Sequence, residues 1–495
     1  MPNSIKNNLE ILIQSIDKKL ATSIQKHLYS IPKIKSEKIA LFKDCLRSQQ
    51  HDKKAFIDTY KLTSVQYNTL KHQLFKDCIA FISSNYKSQS DHSLRYDIIE
   101  FEIYLNSGLN EKAIKQLNKI KEIAIEQCDF ITCCMVQRKA IDYQVFHNDT
   151  KKRELEKASK ELVHYHALAQ NLNKYELLAD EVLNLHFQFL DKRILERDEF
   201  LNYLNNDLLT NKNKALSVLA EFLFYRIHSL ITLGDNNYTE SKEYSLQAIN
   251  CLRENESPYR NDYYKIIRTI NNYLDACLNM NQTAEFEKMF DEFTQQYKEN
   301  NKLPSRFFQT SYFQFRCSLI LNYIWIAKEK TSYHKELPYL EKTFFLYQDE
   351  MIPNLKLDIL LGFARHYFMN GELTKADEYC KLILSEKTNS ASLYLASGIL
   401  LRGMINYDLG NLKLLPHIAR SGKYLLKNRN RLFKLEKCFL NGIKKIKPYD
   451  SKISIENSFK ILNNKLQLIL KTSDGSAINN KIDITNWVKQ KYQTI

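Results

Sequence analysis

Cysteine and histidine are the residue types of this chain whose spacing comes nearest to a metal site. Cys128, Cys133 and Cys134 lie close together in the sequence, and His164 and His166 are two positions apart. Neither set has the Cys-x-x-Cys or His-Glu-x-x-His spacing that zinc sites use. Residues i and i+2 of a helix do not face each other, so the two histidines cannot share one ion from one helix. We expect no metal site.

Motifs for nucleotide binding and hydrolysis are also missing from the sequence. The stretch GILLRG at 398–403 has the glycine spacing of a phosphate loop, but Met404 and Ile405 follow it instead of Lys and Ser or Thr. Neither G-x-G-x-x-G nor G-x-S-x-G occurs, and carboxylates are spread over every predicted helix. We therefore expect no cofactor and no enzyme activity. An enzyme with its site inside the fold would need a deep pocket where several ionisable groups converge.

The scarcity of glycine and proline indicates which elements carry these residues. The 495 residues include 10 Gly and 8 Pro, and no proline falls between Pro32 and Pro258. Tight turns and hairpins need positive φ angles, which glycine adopts cheaply. Long stretches without either residue are typical of helices joined by short polar turns. The sequence therefore predicts an all-α fold.

Two segments of the chain share one spacing. YLNSGLNEKAIKQL at 104–117 and YFMNGELTKADEYC at 367–380 both read Tyr, three residues, Gly, four residues, Ala. Pro258, Pro304 and Pro353 each precede a long apolar-periodic run, at intervals of just under 50 residues. Proline suits the first position of a helix, and periods of 20–50 residues are typical of stacked helical hairpins.

This pattern resembles the tetratricopeptide (TPR) repeat. In the second copy, Gly371 would end one helix in a left-handed cap, Ala376 would let two helices approach closely, and Tyr367 would fill the space between hairpins. Looser copies pair Gly234 with Ala248 and Gly403 with Gly410. The resemblance implies a right-handed superhelical solenoid of lengthened TPR-like hairpins, with helical caps at both ends.

The full length is also similar to an uncharacterised family of cytoplasmic bacterial helical-repeat proteins. The similarity lies in the opening LEILIQSIDKKLATSIQKHLYS at 9–30 and in the tail DITNWVKQKY at 483–492. The family implies architecture and no activity. We expect a helical cap over 1–88, the TPR-like array over 89–440, and a helical cap over 441–495 that contains a basic segment and a flexible loop at 471–482.

Within the first cap, Asp52 and Thr63 are expected to begin helices near 52–60 and 64–84. This two-helix unit has the outline of a DNA-binding helix-turn-helix, although a cap that covers the apolar face of the first repeat would look the same. No secretory signal is recognisable, and the most apolar later stretch, SLILNYIWIA at 318–327, is too short to span a bilayer. Ten scattered cysteines indicate free thiols, so we expect a cytoplasmic protein without membrane contact.

Positive charge is the strongest feature near the C-terminus. The chain carries a net charge of +15, and between Arg420 and Lys452 there are 11 Lys or Arg against 2 Asp or Glu. The candidate residues for polyanion contact are Lys427, Arg429, Arg431, Lys444 and Lys445. They predict weak, salt-sensitive nucleic-acid binding without sequence preference. A solvated helix surface or a site for an acidic protein would explain the same charges.

The function that the resemblance implies is that of a non-enzymatic scaffold or adaptor. TPR proteins bind a peptide or protein segment in a concave groove lined by the first helix of each hairpin. The matching positions here are Arg95, Glu102, Asp358, Arg365, Phe368, Met404 and Tyr407. The alternative is a nucleic-acid-associated regulator, with the repeat array as sensor and an end segment as the DNA or RNA contact.

Overall fold

The computed structural model describes most of the chain, and every structural statement below concerns that part. It comprises residues 8–16, 18–31, 36–47, 51–89, 94–146, 152–192, 197–255, 263–299, 306–328, 331–386, 392–470 and 473–493. Pro258 and Pro304, two of the three prolines expected to open helices, lie outside these residues.

The described residues form helices and no strand, which confirms the predicted all-α class. Helices α1 to α12 are Asn8–Ser15, Lys18–Ser30, Ser36–Arg47, Lys53–Thr59, Ser64–Gln89, Leu94–Asn106, Asn110–Glu126, Phe130–Phe146, Lys152–Lys192, Arg197–Asn202, Val218–Gly234 and Tyr238–Glu254. Helices α13 to α24 are Tyr263–Asn279, Thr283–Glu299, Arg306–Ala327, Leu337–Tyr347, Pro353–Met369, Leu373–Ser385, Ser392–Asp408, Leu415–Asn428, Lys434–Ile443, Lys452–Leu470, Ser473–Ile482 and Ile484–Gln493. Each helix in the described ranges is too short or too polar to cross a bilayer.

The chain divides into two compact units. The N-terminal unit comprises residues 1–165 with 304–306, and the C-terminal unit comprises 166–303 with 307–495. The division falls inside α9, and the domain boundaries at 88 and 440 stay a prediction. In the C-terminal unit, one continuous cluster of buried apolar side chains extends from Ile249 to Val488. Burial of a continuous apolar face between neighbouring helices is what holds such a unit together.

A single kind of turn recurs between paired helices. One residue of the turn is left-handed, and the N–H of the next residue donates to the carbonyl five positions earlier, which is the Schellman pattern. Glycine adopts this conformation without steric cost, and asparagine tolerates it. The left-handed residues that share the pattern include Gly108, Asn236, Asn281, Gly371 and Gly410. The predicted cap at Gly371 is confirmed, and asparagine at two turns explains why the glycine spacing is degenerate.

Gly234 has a different role from the one that the sequence indicated. It lies in the last turn of α11, and the left-handed residue of that turn is Asn236. A Cβ atom at Gly234 would lie 2.6 Å from Cε1 of Phe200. Gly403 likewise lies inside α19, where a Cβ would lie 2.8 Å from Cδ1 of Ile443. Close packing therefore favours glycine at these two positions, because a Cβ atom would force the neighbouring side chain to shift.

The hairpin of α17 and α18 shows why its tyrosine and alanine are needed. Pro353 is the first residue of α17, as predicted. The hydroxyl of Tyr367 donates to Glu341 of α16 over 2.8 Å, and its ring stacks on Tyr379 of α18 at a centroid distance of 5.6 Å. Ala376 is fully buried at the start of α18. In this copy, the spacing of Tyr367 and Ala376 therefore reflects packing at the hairpin's closed end.

Replacing Ala376 by Trp is expected to destabilise the protein by about 1–3 kcal/mol or more, because overpacking forces neighbouring side chains out of their rotamers. Ala376 has 0% exposure and no space for an indole. Urea unfolding measures the loss. Glu378→Trp on the exposed side of the same helix is the control and should change the free energy of unfolding little. Equal unfolding midpoints for the two variants would contradict the close contact at Ala376.

The two-helix unit near the N-terminus has the predicted caps. Asp52 accepts the backbone N–H groups of Lys54 and Ala55 at 2.9 and 3.0 Å and begins α4. Thr63 and Gln66 exchange side-chain-to-backbone hydrogen bonds and begin α5. These reciprocal bonds satisfy the first N–H groups of each helix, which have no partner within the helix. A DNA contact by this unit stays a prediction.

The segment predicted as a flexible loop, 471–482, is helical from Ser473 onward. Its polar composition and Gly475 favour a loop, but Ile478 and Ile482 are four residues apart and both are buried. Residues with this spacing share one face of a helix. Burial of that face against the C-terminal unit stabilises α23 despite its weak local propensity.

Candidate functional site

Polar side chains gather where α13, α15, α17 and α19 approach α23. This arrangement is unusual for a core, because a buried polar group costs free energy unless it is hydrogen-bonded or paired. The side chains, called the polar cluster below, are Asn271, Asp275, Ser318, Asn322, Trp325, Asp358, Arg365, Tyr394 and Lys481.

Asp358 of α17 is the buried anion of the polar cluster, with 4% exposure. It accepts hydrogen bonds from the hydroxyl of Ser318 and from Nδ2 of Asn322 at 3.2 Å, and Nζ of Lys481 lies 3.4 Å from its Oδ1. Burial opposes ionisation of this carboxyl. The positive charges of Lys481 and Arg365 and the two hydrogen bonds outweigh burial, so the pKa of Asp358 is lowered. Asp358 is therefore ionised.

Arg365 is the buried cation of the polar cluster, with 1% exposure. Its Nη2 donates to Oδ1 of Asn322 at 2.9 Å, and its Nη1 donates to the backbone oxygen of Lys481 at 3.2 Å. The guanidinium carbon lies 5.3 Å from the centroid of the Trp325 ring. Lys481 is the second-last residue of α23, where carbonyl groups have no partner within the helix and the helix dipole is negative. Arg365 therefore caps the C-terminus of α23.

Asp275 of α13 is the part-exposed carboxylate of the polar cluster. Its Oδ2 accepts from Nδ2 of Asn271 at 2.9 Å. Burial, together with the negative charge of Asp358, raises the pKa of Asp275 to about 6, although Lys481 and Asn271 act in the opposite direction. Two carboxyl groups that share the influence of one lysine thus have pKa values shifted in opposite directions.

Replacing Asp275 by Asn is expected to stabilise the protein above pH 6. Folding raises the pKa of this carboxyl from 3.8 to about 6, so the folded state binds the proton more tightly and stability falls as the pH rises through that interval. Asn cannot ionise. The gain in the free energy of unfolding should be smallest near pH 4 and reach up to about 3 kcal/mol near pH 8. Urea unfolding at both pH values measures it, and an equal effect at the two would contradict the shifted pKa.

The last two helices, α23 and α24, follow each other with one residue between them and are called the C-terminal hairpin below. Arg365 and Asp358 contact α23, and Trp487 makes the contact of α24. Its ring has 4% exposure and lies against Tyr407 and Phe459 at centroid distances of 5.6 and 5.5 Å. Its Nε1 donates to Oδ2 of Asp408 at 3.0 Å, and Nζ of Lys491 lies 2.6 Å from Oδ1 of the same carboxylate. Asp408 therefore binds the hairpin through both an indole and an ammonium group.

The groove residues predicted in the C-terminal unit lie mostly beneath the C-terminal hairpin. Asp358 and Arg365 contact α23, and Tyr407 packs on Trp487. Met404 is buried in the core, and Phe368 is half-buried against it. The structure places Asp358, Arg365 and Tyr407 in contact with the C-terminal hairpin. Asp358 and Arg365 are interior side chains because the predicted loop folds as a helix over them, whereas Tyr407 is half-buried against Trp487 of α24.

The two groove residues predicted in the N-terminal unit lie on α6. Glu102 is exposed, and its Oε1 pairs with Nζ of Lys139 at 3.0 Å. Arg95 belongs to the same helix, and its side chain lies outside the described part of the structure.

Part of the polar cluster, together with Arg268 of α13, remains accessible to solvent. Arg268, Asn271 and Asp275 follow one another at spacings of three and four along α13, and they are half-buried. Asn322 and Trp325 of α15 are also half-buried. These five residues are called the open stripe below. Sequence reasoning missed the stripe, although its three-and-four spacing on a helix with an apolar opposite side is a detectable signal.

The residues predicted for polyanion contact lie in and around α20 and α21. Lys427, Lys444 and Lys445 are exposed, whereas Arg429 and Arg431 are half-buried and interact within the chain. The three lysines are therefore more accessible to a ligand than the two arginines.

The cysteines and histidines weighed as metal ligands do not converge. In the described ranges, no group of three or more His, Cys, Asp or Glu side chains could hold an ion. Burial raises the pKa of the Cys133 thiol to about 12, so it stays protonated at neutral pH. His164 and His166 are exposed on α9.

In the described part of the chain, the fold and the polar cluster together define a helical protein whose paired helices hold α23 through buried charges. No family model matches the chain, and no curated protein matches it significantly. The function therefore has to be inferred from the residues themselves.

Proposed function

We propose that the protein is a non-enzymatic scaffold or adaptor that binds a segment of a partner protein on the first helices of its TPR-like hairpins. In this proposal, α11, α13, α15, α17 and α19 line the concave face of a right-handed superhelix in the C-terminal unit. Contacts of α11 with α13 and of α17 with α19 support it, because first helices of successive TPR hairpins neighbour each other. We further propose that the chain belongs to the bacterial helical-repeat family that it resembles.

The way in which the polar cluster holds α23, and in which Asp408 holds α24, carries the proposal. Arg365 caps a helix C-terminus, Asp358 binds an ammonium group, and Asp408 binds an indole N–H. A helix end, a basic side chain and an aromatic anchor are also the groups that a helical peptide ligand offers. The same face can therefore recognise a partner segment with this chemistry.

The open stripe is the proposed contact for that partner. At neutral pH Asp275 is ionised at a cost in stability, since burial raises its pKa to about 6. Charges kept in spite of such a cost are typical of functional sites. A Lys or Arg of the partner would pair with Asp275. The part-exposed ring of Trp325 would contact apolar or cationic residues that neighbour this Lys or Arg in the partner. The partner is thus a segment with a basic residue and an apolar or aromatic anchor.

The proposed site of action is the cytoplasm. All ten cysteines are free thiols. Disulfides are rare in the reducing cytoplasm and frequent in secreted proteins, so the unpaired cysteines support this location.

Asp275→Asn tests the proposal without the risk of unfolding, because this substitution is expected to be stabilising. Tagged full-length protein, the Asp275→Asn variant and an exposed-acid control, Asp349→Asn, are used to capture partners from extracts of the native cell for quantitative mass spectrometry. We expect a partner retained by the wild type and the control and lost by Asp275→Asn. The affinity of a peptide from that partner should fall about tenfold or more. Equal capture by all three proteins would place binding elsewhere.

A further inference from the structure

The surface of α20 and α21 carries uncompensated positive charge. From Pro416 to Lys447 the only acidic residue is Glu436, and its side chain is buried. The exposed or half-buried cations of this surface include Arg420, Lys423, Lys427, Lys437 and Lys444. Within the described ranges none of these five pairs with a carboxylate, whereas lysines elsewhere in the chain commonly do, as Lys356 with Glu386 does at 2.7 Å.

The fold brings these cations together from two helices. Arg420, Lys423 and Lys427 lie on one side of α20, at spacings of three and four. Lys423 donates to Oδ1 of Asn441 in α21. Partial burial and the charges of Lys444 and Lys437 lower the pKa of Lys423, which shows that these ammonium groups act on one another. An array of like charges held this close favours a ligand with several negative charges.

An aromatic ring lies within the same array. Tyr424 is 70% exposed, beside Lys423 and one turn from Lys427. It is also the only large apolar or aromatic side chain among residues 415–447 that is well exposed, so this surface lacks the aliphatic groups that insert into a membrane. Exposed aromatic rings between cations are the feature that single-stranded nucleic acids use, since every base can stack on them. The basic face is defined here as Arg420, Lys423, Tyr424, Lys427, Lys437 and Lys444.

We propose that the basic face binds single-stranded nucleic acid, with its cations on successive phosphates and Tyr424 stacked on a base. This site is separate from the open stripe and does not depend on the proposed function. Its residues differ in part from those that the sequence indicated, because Arg429 and Arg431 are already engaged within the chain. Binding is tolerant of sequence and weakens steeply with salt. Five phosphate contacts correspond to a slope of about −3.5 in log affinity against log salt concentration.

Fluorescence anisotropy with the full-length protein tests this site. The probes are labelled uridine and thymidine oligonucleotides of about 20 nucleotides, titrated over a range of potassium chloride concentrations. The triple variant Lys423→Glu, Lys437→Glu and Lys444→Glu should weaken binding by about 100-fold or more, since it removes three phosphate contacts. The triple variant Lys115→Glu, Lys157→Glu and Lys160→Glu makes the same change of net charge on exposed residues elsewhere and should retain affinity within a few-fold.

Tyr424→Ala tests the stacking contact with a side chain too exposed to affect folding. We expect a loss of about fivefold or more, which Tyr424→Phe should not show because a phenyl ring stacks equally well. If the two triple Lys→Glu variants weakened binding equally, net charge alone would explain the loss of affinity, and the proposal would be overturned. Binding of a duplex of the same length as tightly as the single strands would also overturn it, as would binding of anionic vesicles or of an acidic peptide but of neither oligonucleotide.

Discussion

Replacing Trp487 by Ala is expected to lower the free energy of unfolding by about 3–5 kcal/mol, the usual cost of removing a buried aromatic side chain. The substitution removes the contacts with Tyr407 and Phe459 and leaves Asp408 without the indole donor. It also detaches the C-terminal hairpin from the rest of the C-terminal unit. Urea unfolding followed by far-UV circular dichroism measures the loss.

Hydrogen exchange separates loss of the hairpin from a general loss of stability. In the Trp487→Ala variant, amides of 473–493 should exchange faster than those of the hairpin formed by α17 and α18, because local opening then costs less than global unfolding. Tyr339→Ala is the control. Its ring is 62% exposed on α16, away from the polar cluster, so the loss should be small and the hairpin should stay protected. A uniform rise in exchange over the whole C-terminal unit would contradict a hairpin held locally by Trp487.

Replacing Arg365 by Glu is expected to cost at least about 3–5 kcal/mol, because removal of this buried cation and addition of a second buried anion leave charge uncompensated. The new carboxylate would lie near Asp358 at a position with 1% exposure, and the carbonyl of Lys481 would lose its donor. A groove residue facing solvent, as the sequence indicated for Arg365, would tolerate this change. The midpoint of urea unfolding therefore distinguishes a buried Arg365 from an exposed one.

A double-mutant cycle shows whether the cost is electrostatic. In a background with Asp358→Asn, the penalty of Arg365→Glu should shrink by about 1 kcal/mol or more, since Asp358 and Arg365 share Asn322 as a hydrogen-bond partner and residues of one network are coupled. Arg365→Met is the matched variant for volume, and it should cost less than Arg365→Glu because it adds no second buried anion. Additive losses in the cycle would mean that Asp358 and the residue at position 365 do not interact.

The local features of this chain are determined by its sequence alone. Asp52 and Thr63 cap helices because a short side-chain oxygen reaches the free N–H groups of the first turn. Gly371 ends α17 because only a residue that adopts a positive φ can close a Schellman turn. Scarce glycine and proline, apolar periodicity and these caps act within a few residues, so they are sufficient to predict an all-α chain of paired helices.

Tertiary structure decides that the polar cluster forms and that the segment it binds is α23. Arg365 and Lys481 are 116 residues apart, Asp358 and Lys481 are 123 apart, and Trp487 meets Asp408 across 79. Local propensity in SDGSAINNKI favours a loop, yet burial of Ile478 and Ile482 makes it a helix, and this helix converts predicted groove residues into interior ones. Helix packing overrides weak local preference because most helical stability in proteins comes from burial of an apolar face. That face has no partner until the distant helices are in place.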